Sequence, residues 1–374
     1  MAAANALETH TPKATTESLK AMVWRRFKKH RLAFWSLGGL GFLLLLCYGI
    51  PLIAPLMGWD PDFIDLYARY EGMSLKHPFG TDELGRDVFL RLMYGGRISL
   101  TVGLISALTA ALIGTTIGVI AGYFGGWIDS LLMRFTDAML SVPVLPLMIV
   151  FAALDLRKIS QAEGTWNVLA IIGALVFVMV CVGQFVSNKR AKILPTLFTG
   201  LLSALVCALP LAGLIKLLGS QQLSSGTMAS VVQLIIIVVF FSWMTVARLV
   251  RASALQIREM EYIAAAKMLG APSKHIITTH IIPNAMAPII VAATLEVGGV
   301  VLYESVLSFL GLGVKPPTAS WGNMLRNALD YLQDSPLLAF WPGVFILLAV
   351  VCVNFFGDGL RDALDPHEVH GSKK

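Results

Sequence analysis

Carboxylates are the residues of this sequence best placed to do chemistry, and they occur in distinct settings. Asp60, Asp62 and Asp65 cluster after the first apolar run. Such a cluster could hold a hard cation, but it lacks the glycine turn and the further oxygen ligands that a calcium loop needs. It reads as solvated loop acids. Asp358, Asp362 and Asp365 follow the last apolar run and read as surface or capping groups. Glu296 stands in the middle of an apolar run, where an ionisable side chain is costly and a functional candidate by default. It could line a pathway, pair with a partner helix, or stay protonated. The sequence has no G-x-x-x-x-G-K-[ST] loop to cradle nucleotide phosphates and no H-E-x-x-H metal motif. Its four cysteines (Cys47, Cys181, Cys207, Cys352) fall in four different apolar runs without metal spacing and read as buried free thiols. No convergent nucleophile or metal set supports bond-making chemistry.

The elements around these residues belong in a bilayer. The chain of 374 residues is 56% hydrophobic and 14% charged, with mean hydropathy +0.73. That is too apolar for a soluble domain of this length, so lipid must supply part of the solvent. Crossing a ~30 Å hydrocarbon core takes about 20 apolar residues in a helix. Runs of that kind occur near 32–57, 98–123, 131–154, 167–187, 194–218, 229–250, 285–305 and 338–357. Strands are excluded as spanning elements, because the runs lack the alternation of a barrel and lipid cannot satisfy open backbone groups. The fold expected is an all-α polytopic membrane protein. Trp24–Arg31 is strongly basic, and the apolar run behind it is too long for a signal peptide and has no clean cleavage site. It reads as a retained first span, with residues 1–20 as a loose polar tail.

Most of the 29 lysines and arginines lie in segments that alternate with the N-terminal side. The positive-inside bias then gives N-in, C-in. The net charge of +6 comes from these topological anchors and does not point to nucleic acid. Gly114, Gly118 and Gly122 repeat every four residues in the second span, a face on which another helix backbone can approach closely. Pro143 and Pro146 should kink the third span.

The polar, alanine-rich segment Arg258–Asn284 lies between two spans and should face the cytoplasm. Residues 254–269 read as one helix, with Tyr262, Ala265, Ala266 and Leu269 on one face and Ile257, Met260, Ala264 and Met268 on a second. Gly270 and Pro272 stop it, and Ser273 is placed to cap a second short helix ending before Pro283. The result is a helix–glycine–helix elbow, either packed on its own bundle or presented to a partner. On the other side, Thr81 or Asp82 could cap an amphipathic helix lying on the outer surface, with Leu84, Val88 and Leu92 on one face. Ser320 could cap another, carrying Trp321, Leu325 and Leu329.

The elbow resembles the cytoplasmic loop of binding-protein-dependent ABC importer permeases, whose signature is E-A-A, three residues, G, nine residues, I-x-L-P. Here Ala264-Ala265-Ala266, Gly270 and His280-Ile281-Ile282-Pro283 occupy it. The signature glutamate is replaced by Ala264 and the first isoleucine by His280, while Glu261 lies one turn upstream. Two outer motifs narrow the resemblance to the second, C-type permease of the dipeptide, oligopeptide and nickel subfamily. One is His77-Pro-Phe-Gly80-Thr81-Asp82-Glu-Leu-Gly85-Arg86-Asp87, followed by Arg91 and Tyr94–Ser99. The other is Leu307–Pro317, followed by Ser320-Trp321-Gly-Asn-Met-Leu325. Glu304 matches an acidic position of that family.

The resemblance implies a type I ABC importer core of six helices, to which 155–225 would add a two-helix hairpin outside the ordinary pattern. It divides the chain into a cytoplasmic basic tail (1–31), a first transmembrane helix (32–57), an external segment with an amphipathic helix (58–97), the permease core (98–360) with its coupling loop (251–284), and a cytoplasmic tail (361–374). It implies a multi-pass protein of the bacterial inner membrane that imports di- or oligopeptides by alternating access. Nickel or another small solute is the alternative cargo, and an ion-coupled secondary transporter is the rival class. The expected partners are a homologous second permease, two cytoplasmic ATPase subunits that bind ATP and magnesium, an external substrate-binding protein, and membrane lipid. The chain itself would need no cofactor and catalyse nothing. ATPase coupling would fall to Glu261, Tyr262, Ala264, Ala265, Ala266, Lys267, Leu269, Gly270 and Pro283. Glu296, by its mid-span position, is a candidate for the substrate pathway, and Gly80, Thr81, Asp82, Gly85, Arg86, Asp87 and Trp321 are candidates for bracing the outer gate.

Overall fold

A computed structural model describes residues 19–141, 143–153 and 226–364, and among these every regular element is helical. The expected hairpin at 155–225, with its spans 167–187 and 194–218, lies outside the described residues, as do most of the two terminal tails. A short helix α1 (Leu19–Lys29) leads into the first span α2 (Arg31–Met57), which contains one π-type turn at Leu45–Gly49. Then follow α3 (Val88–Phe124), α4 (Gly126–Leu140), α5 (Val144–Ala153) and α6 (Gly226–Arg258). The elbow comprises α7 (Glu261–Met268) and α8, which starts at Ser273–Ile276, passes through a π-type turn at Ile277–Ile281 and ends with Ile282–Asn284. α9 (Met286–Phe309), α10 (Trp321–Ala328) and α11 (Leu337–Leu364) complete the chain. Among the described residues five helices are long and apolar enough to cross a membrane, and α4 with α5 makes a sixth span if the bent pair is counted as one.

α3 is the axis of the bundle. Asp87 caps it by accepting from the Leu90 amide at 2.8 Å, and Gly125 ends it at φ +64°. Its 37 residues make a rod about 55 Å long at 1.5 Å per residue. The expected surface helix in 58–97 is therefore not separate: its residues 88–97 are the first turns of α3. The chain cannot turn helical earlier, because the Asp82 carboxylate accepts from the Leu84 and Arg86 amides and Gly85 sits at φ +73°. The cap is accordingly Asp87 rather than Thr81 or Asp82.

The glycine stripe packs as its spacing predicts. A Cβ on Gly114 or Gly118 would lie 2.5 Å from the Trp243 or Ala247 carbonyl oxygen of α6, and one on Gly122 would lie 2.6 Å from the Ala254 Cβ. The third span breaks between Leu140 and Val144 with an 80° bend, at the proline that cannot continue the helix. Arg251 grips Asp129 with two hydrogen bonds of 2.8 and 2.5 Å, which ties α6 to α4.

These contacts sort the loops between two ends of the bundle. At one end His30 lies 3.7 Å from Asp362, and Arg258 donates to the Tyr123 carbonyl at 3.2 Å. The N-terminus of α2, the C-terminus of α11 and the elbow share this end. At the other, Tyr94 donates to the Pro51 carbonyl and Phe79 stacks on Trp341 with centroids 3.9 Å apart. Segments 58–87 and 310–336 meet there and form a cap.

Candidate coupling elbow and opposing cap

The elbow differs from the sequence reading in one instructive way. Residues 254–269 are not one helix: α6 ends at Arg258, and Met260 takes an extended conformation (φ −74°, ψ 145°) before α7 begins. The break turns the residues after it away from the bundle. Only Ile263 of α7 is fully buried; it joins Ile276, Ile281 and Ala285 of the second arm against Val119, Val246, Val250 and Ala254. These isoleucines are the anchors that the two-face reading missed. Their signal was partial: Ile263 stands between Tyr262 and Ala264, whereas Ile276 and Ile281 each open an Ile-Ile pair behind a histidine.

The same anchoring leaves the other α7 side chains uncovered. Leu269 is 88% exposed and Met268 83%, with Tyr262, Glu261, Ala264, Ala265 and Lys267 also exposed and Ala266 half-buried. Glu261 occupies the first turn of α7, where a carboxylate faces the positive end of the helix dipole. It shares a face with Ala264 and Ala265, three and four residues on. Gly270 takes φ +78°, and its neighbours close the turn through Leu269 N–H to Ala265 O and Ala271 N–H to Ala266 O. The cap of the second arm is Pro272; Ser273 is its first helical residue and makes no capping bond. That arm also runs past the expected stop, through Pro283 to Asn284, because the π-type turn shifts the register just before the proline. Asn284 donates to the Tyr262 hydroxyl at 3.3 Å and to the His280 carbonyl at 2.6 Å, while the Lys267 ammonium lies 5.5 Å from the Tyr123 ring centre. The elbow is thus one body fixed to the ends of α3 and α6, with a free apolar tip.

The cap is built by the opposite means. Trp321 is fully buried; its indole donates to the Leu92 carbonyl at 3.0 Å and its amide to the Ser99 hydroxyl at 3.3 Å. Ser320 caps α10, as the sequence predicts, in a reciprocal box with Asn323, whose amide group also donates to the Val314 and Thr318 carbonyls. Leu329, expected on the apolar face of α10, is half exposed because the helix tightens into a final turn there. Buried Arg91 pairs with Asp62 and donates to the Pro317 carbonyl, which stitches the two outer segments together. Asp62 is therefore an ion-pair partner rather than a solvated acid, and Asp65 caps the turn at Leu66–Ala68.

The other predicted brace residues converge on the same loop. Thr81 donates to the Ala68 carbonyl and accepts from the Glu71 amide, and Arg86 pairs with Asp82 at 2.7 Å and with Glu83 at 3.0 Å. The Asp87 carboxylate accepts from His77 Nδ1 at 2.8 Å. Gly80 and Gly85 both have positive φ, and their Cβ positions are blocked by the backbone of Glu71 and Asp65. Burial, and then the adjacent Asp82 charge, push the Glu83 carboxyl above its ordinary range.

Glu304, also fully buried, accepts from the Ser308 hydroxyl at 2.7 Å, and that hydroxyl accepts from the Val314 amide at 3.1 Å. Sequence reading gave Glu304 only by resemblance; the serine partners show what it holds. Glu296 is half-buried on α9 beside Ser242 of α6, apart from both the elbow and the cap. Among the described residues no three His, Cys, Asp or Glu side chains are placed to share a metal.

Residues 114–369 match the family described as binding-protein-dependent transport system inner membrane component, and residues 18–74 match the N-terminal transmembrane domain of oligopeptide transport permease C. The chain is 32% identical over 363 residues to the dipeptide transport system permease protein DppC of Alkalihalophilus pseudofirmus, covering 96% of this chain and 95% of that one. It is 35% identical over 363 residues to DppC of Bacillus subtilis, covering 96% and 89%. It is 32% identical over 344 residues to the oligopeptide transport system permease protein OppC of Haemophilus influenzae, covering 92% and 87%.

Proposed function

Because this chain belongs to the family of binding-protein-dependent transport system inner membrane components, we propose that it is the permease subunit of an ATP-driven importer of di- or oligopeptides. The peptide cargo follows the relatives, which are named dipeptide and oligopeptide permeases. ATP hydrolysis belongs to separate subunits, and a second permease and an external binding protein complete the assembly. The elbow end faces the cytoplasm of a bacterial inner membrane and the cap faces outward, an orientation supported by the excess of lysine and arginine on the elbow side.

One observation carries the coupling role: α7 buries only Ile263 and leaves Met268 and Leu269 more than four-fifths exposed at the tip of a rigidly anchored elbow. Exposed apolar side chains outside the bilayer call for a protein groove. An ATPase subunit that receives this tip can move it, and Ile263, Ile276 and Ile281 transmit the motion to α3 and α6. The partner must favour one state of the bundle over the other, since an equal contact in both states would shift nothing. Peptide passage is then a change of access, with Glu296 a candidate for meeting the cargo amine.

The test replaces Met268 and Leu269 together by Asp in the complete importer. The variant should insert and unfold at the unchanged temperature, because neither side chain packs on its own chain. Binding-protein-stimulated ATP hydrolysis and peptide uptake should fall at least tenfold. Full coupling in that variant would remove the elbow from the mechanism. Competition of uptake by peptides of graded length, against nickel, tests the cargo separately.

A further inference from the structure

We infer that α1 is a docking surface for the headgroups of anionic phospholipids, seated where the chain enters the bilayer. Residues 20–31 hold Lys20, Arg25, Arg26, Lys28, Lys29 and Arg31, whereas no aspartate or glutamate occurs anywhere from Ser18 through Trp59. Lys28, Lys29 and Arg31 find no acidic residue within this stretch, and a run of one sign at a bilayer boundary attracts opposite charge.

The structure gives this block a fixed face. Phe27 is only 3% exposed; with Val23 it packs on Phe356 and Ala363 of α11 and on Ala33 and Leu37 of α2, with the Phe27 and Phe356 ring centres 5.6 Å apart. His30 separates the two helices in an extended conformation (φ −80°, ψ 92°) and caps α2 through Nδ1, which accepts from the Ala33 amide at 3.2 Å. α1 is therefore a distinct element clamped to the base of the bundle. With Phe27 turned inward, Arg25, Lys28, Lys29 and Arg31 are exposed.

Continuity with the lipid-facing side of α2 identifies the occupant. Trp24 is 47% exposed with the Lys28 ammonium 5.0 Å from its ring centre, and Leu32, Phe34 and Trp35 are 57%, 44% and 76% exposed directly beyond. The first turns of an apolar span are covered by acyl chains, so the basic face lies at headgroup depth on the same strip. Tryptophans flanking lysines and arginines at this level fit an anionic interface. An acidic protein would have to reach the basic face across that lipid-covered strip.

The experiment uses the full chain in nanodiscs of phosphatidylcholine alone or doped with phosphatidylglycerol. Phosphatidylglycerol should raise the unfolding temperature of the wild type, high salt should erase the gain, and native mass spectrometry should show several-fold preferential retention of the anionic lipid. K28Q/K29Q/R31Q should lose the gain and retain the two lipids equally, while K76Q, at the opposite end of the bundle, should behave as wild type. An undiminished gain in the triple variant would overturn the inference, as would equal retention of both lipids by the wild type. Should the triple variant instead lose ATPase subunits in pure phosphatidylcholine, an acidic protein surface is the occupant and the lipid assignment is wrong. The lipid readouts involve neither ATP hydrolysis nor uptake, so a failure of the coupling role leaves them untouched.

Discussion

At the cap, Trp321 is sealed from solvent and Arg91, Asp82, Ser320 and Asn323 each have several polar partners inside the chain. At the elbow, Leu269 is 88% exposed and α7 is held by a single buried isoleucine. The cap pairs most of its buried polar groups and charges within the chain, with His77 Nε2 and Trp341 Nε1 among the exceptions, so it keeps its shape without help. The elbow has satisfied only its attachment, and its remaining apolar surface is left for another molecule. On the proposed function, stability and coupling fall to opposite ends of one bundle, and substitutions at the two ends should fail in different assays.

The sharpest separation should come from Trp321→Ala. Emptying that buried site, and removing the indole donor from the Leu92 carbonyl, should cost about 3–5 kcal/mol. Thermal unfolding in detergent would show it, and an unchanged midpoint would mean that the cap is not self-supporting.

Gly270→Ala should cost about 1–2 kcal/mol, because an L side chain is strained at φ +78° although nothing lies within 4 Å of the new Cβ. Gly270→Asn should cost less, since asparagine tolerates the left-handed region. Equal losses for the two would point to a steric clash instead.

Glu261→Gln should change stability by only about 0.3–1 kcal/mol, the size of a helix-dipole contact. A several-fold loss of stimulated ATP hydrolysis is nevertheless expected if Glu261 takes over from the signature glutamate replaced by Ala264. Intact hydrolysis in this variant would leave the apolar tip as the whole contact.

The gentlest effect concerns pH. The Glu83 carboxyl is raised in the folded state by burial and then by Asp82, so the fold binds its proton more tightly than the unfolded chain does. Its stabilisation is complete below the ordinary glutamate range and is lost as pH rises through the raised value. Glu83→Gln should flatten that slope in pH-dependent unfolding, and a slope unaltered by the substitution would assign it to another group.

Among the described residues the spans were legible in the sequence because hydrophobic length is a property of the residues themselves, and the glycine stripe was legible because Gly114, Gly118 and Gly122 carry their own spacing. Gly270 and Ser320 were equally open, since a left-handed turn and a helix cap each demand particular residue types. The hidden features depend on competition between neighbours. Asp82 reads as a good cap, yet its carboxylate is occupied by the Leu84 and Arg86 amides, and Asp87 caps instead. The Arg91–Asp62 pair joins residues 29 apart, and no local pattern announces it. The break at Met260 was masked by an apolar periodicity that runs across it.

α3 touches both regions, meeting Trp321 near its start and the elbow near its end, with no interruption between. Its residue count therefore works as a phase setting. One inserted residue would lengthen the rod by about 1.5 Å and, more seriously, rotate everything beyond it by about 100°. The glycine seam would then face away from α6, and the elbow would point in a new direction relative to the cap. A chain wired in this way can drift in composition along that stretch, but it cannot gain or lose a single position there without detuning one end from the other.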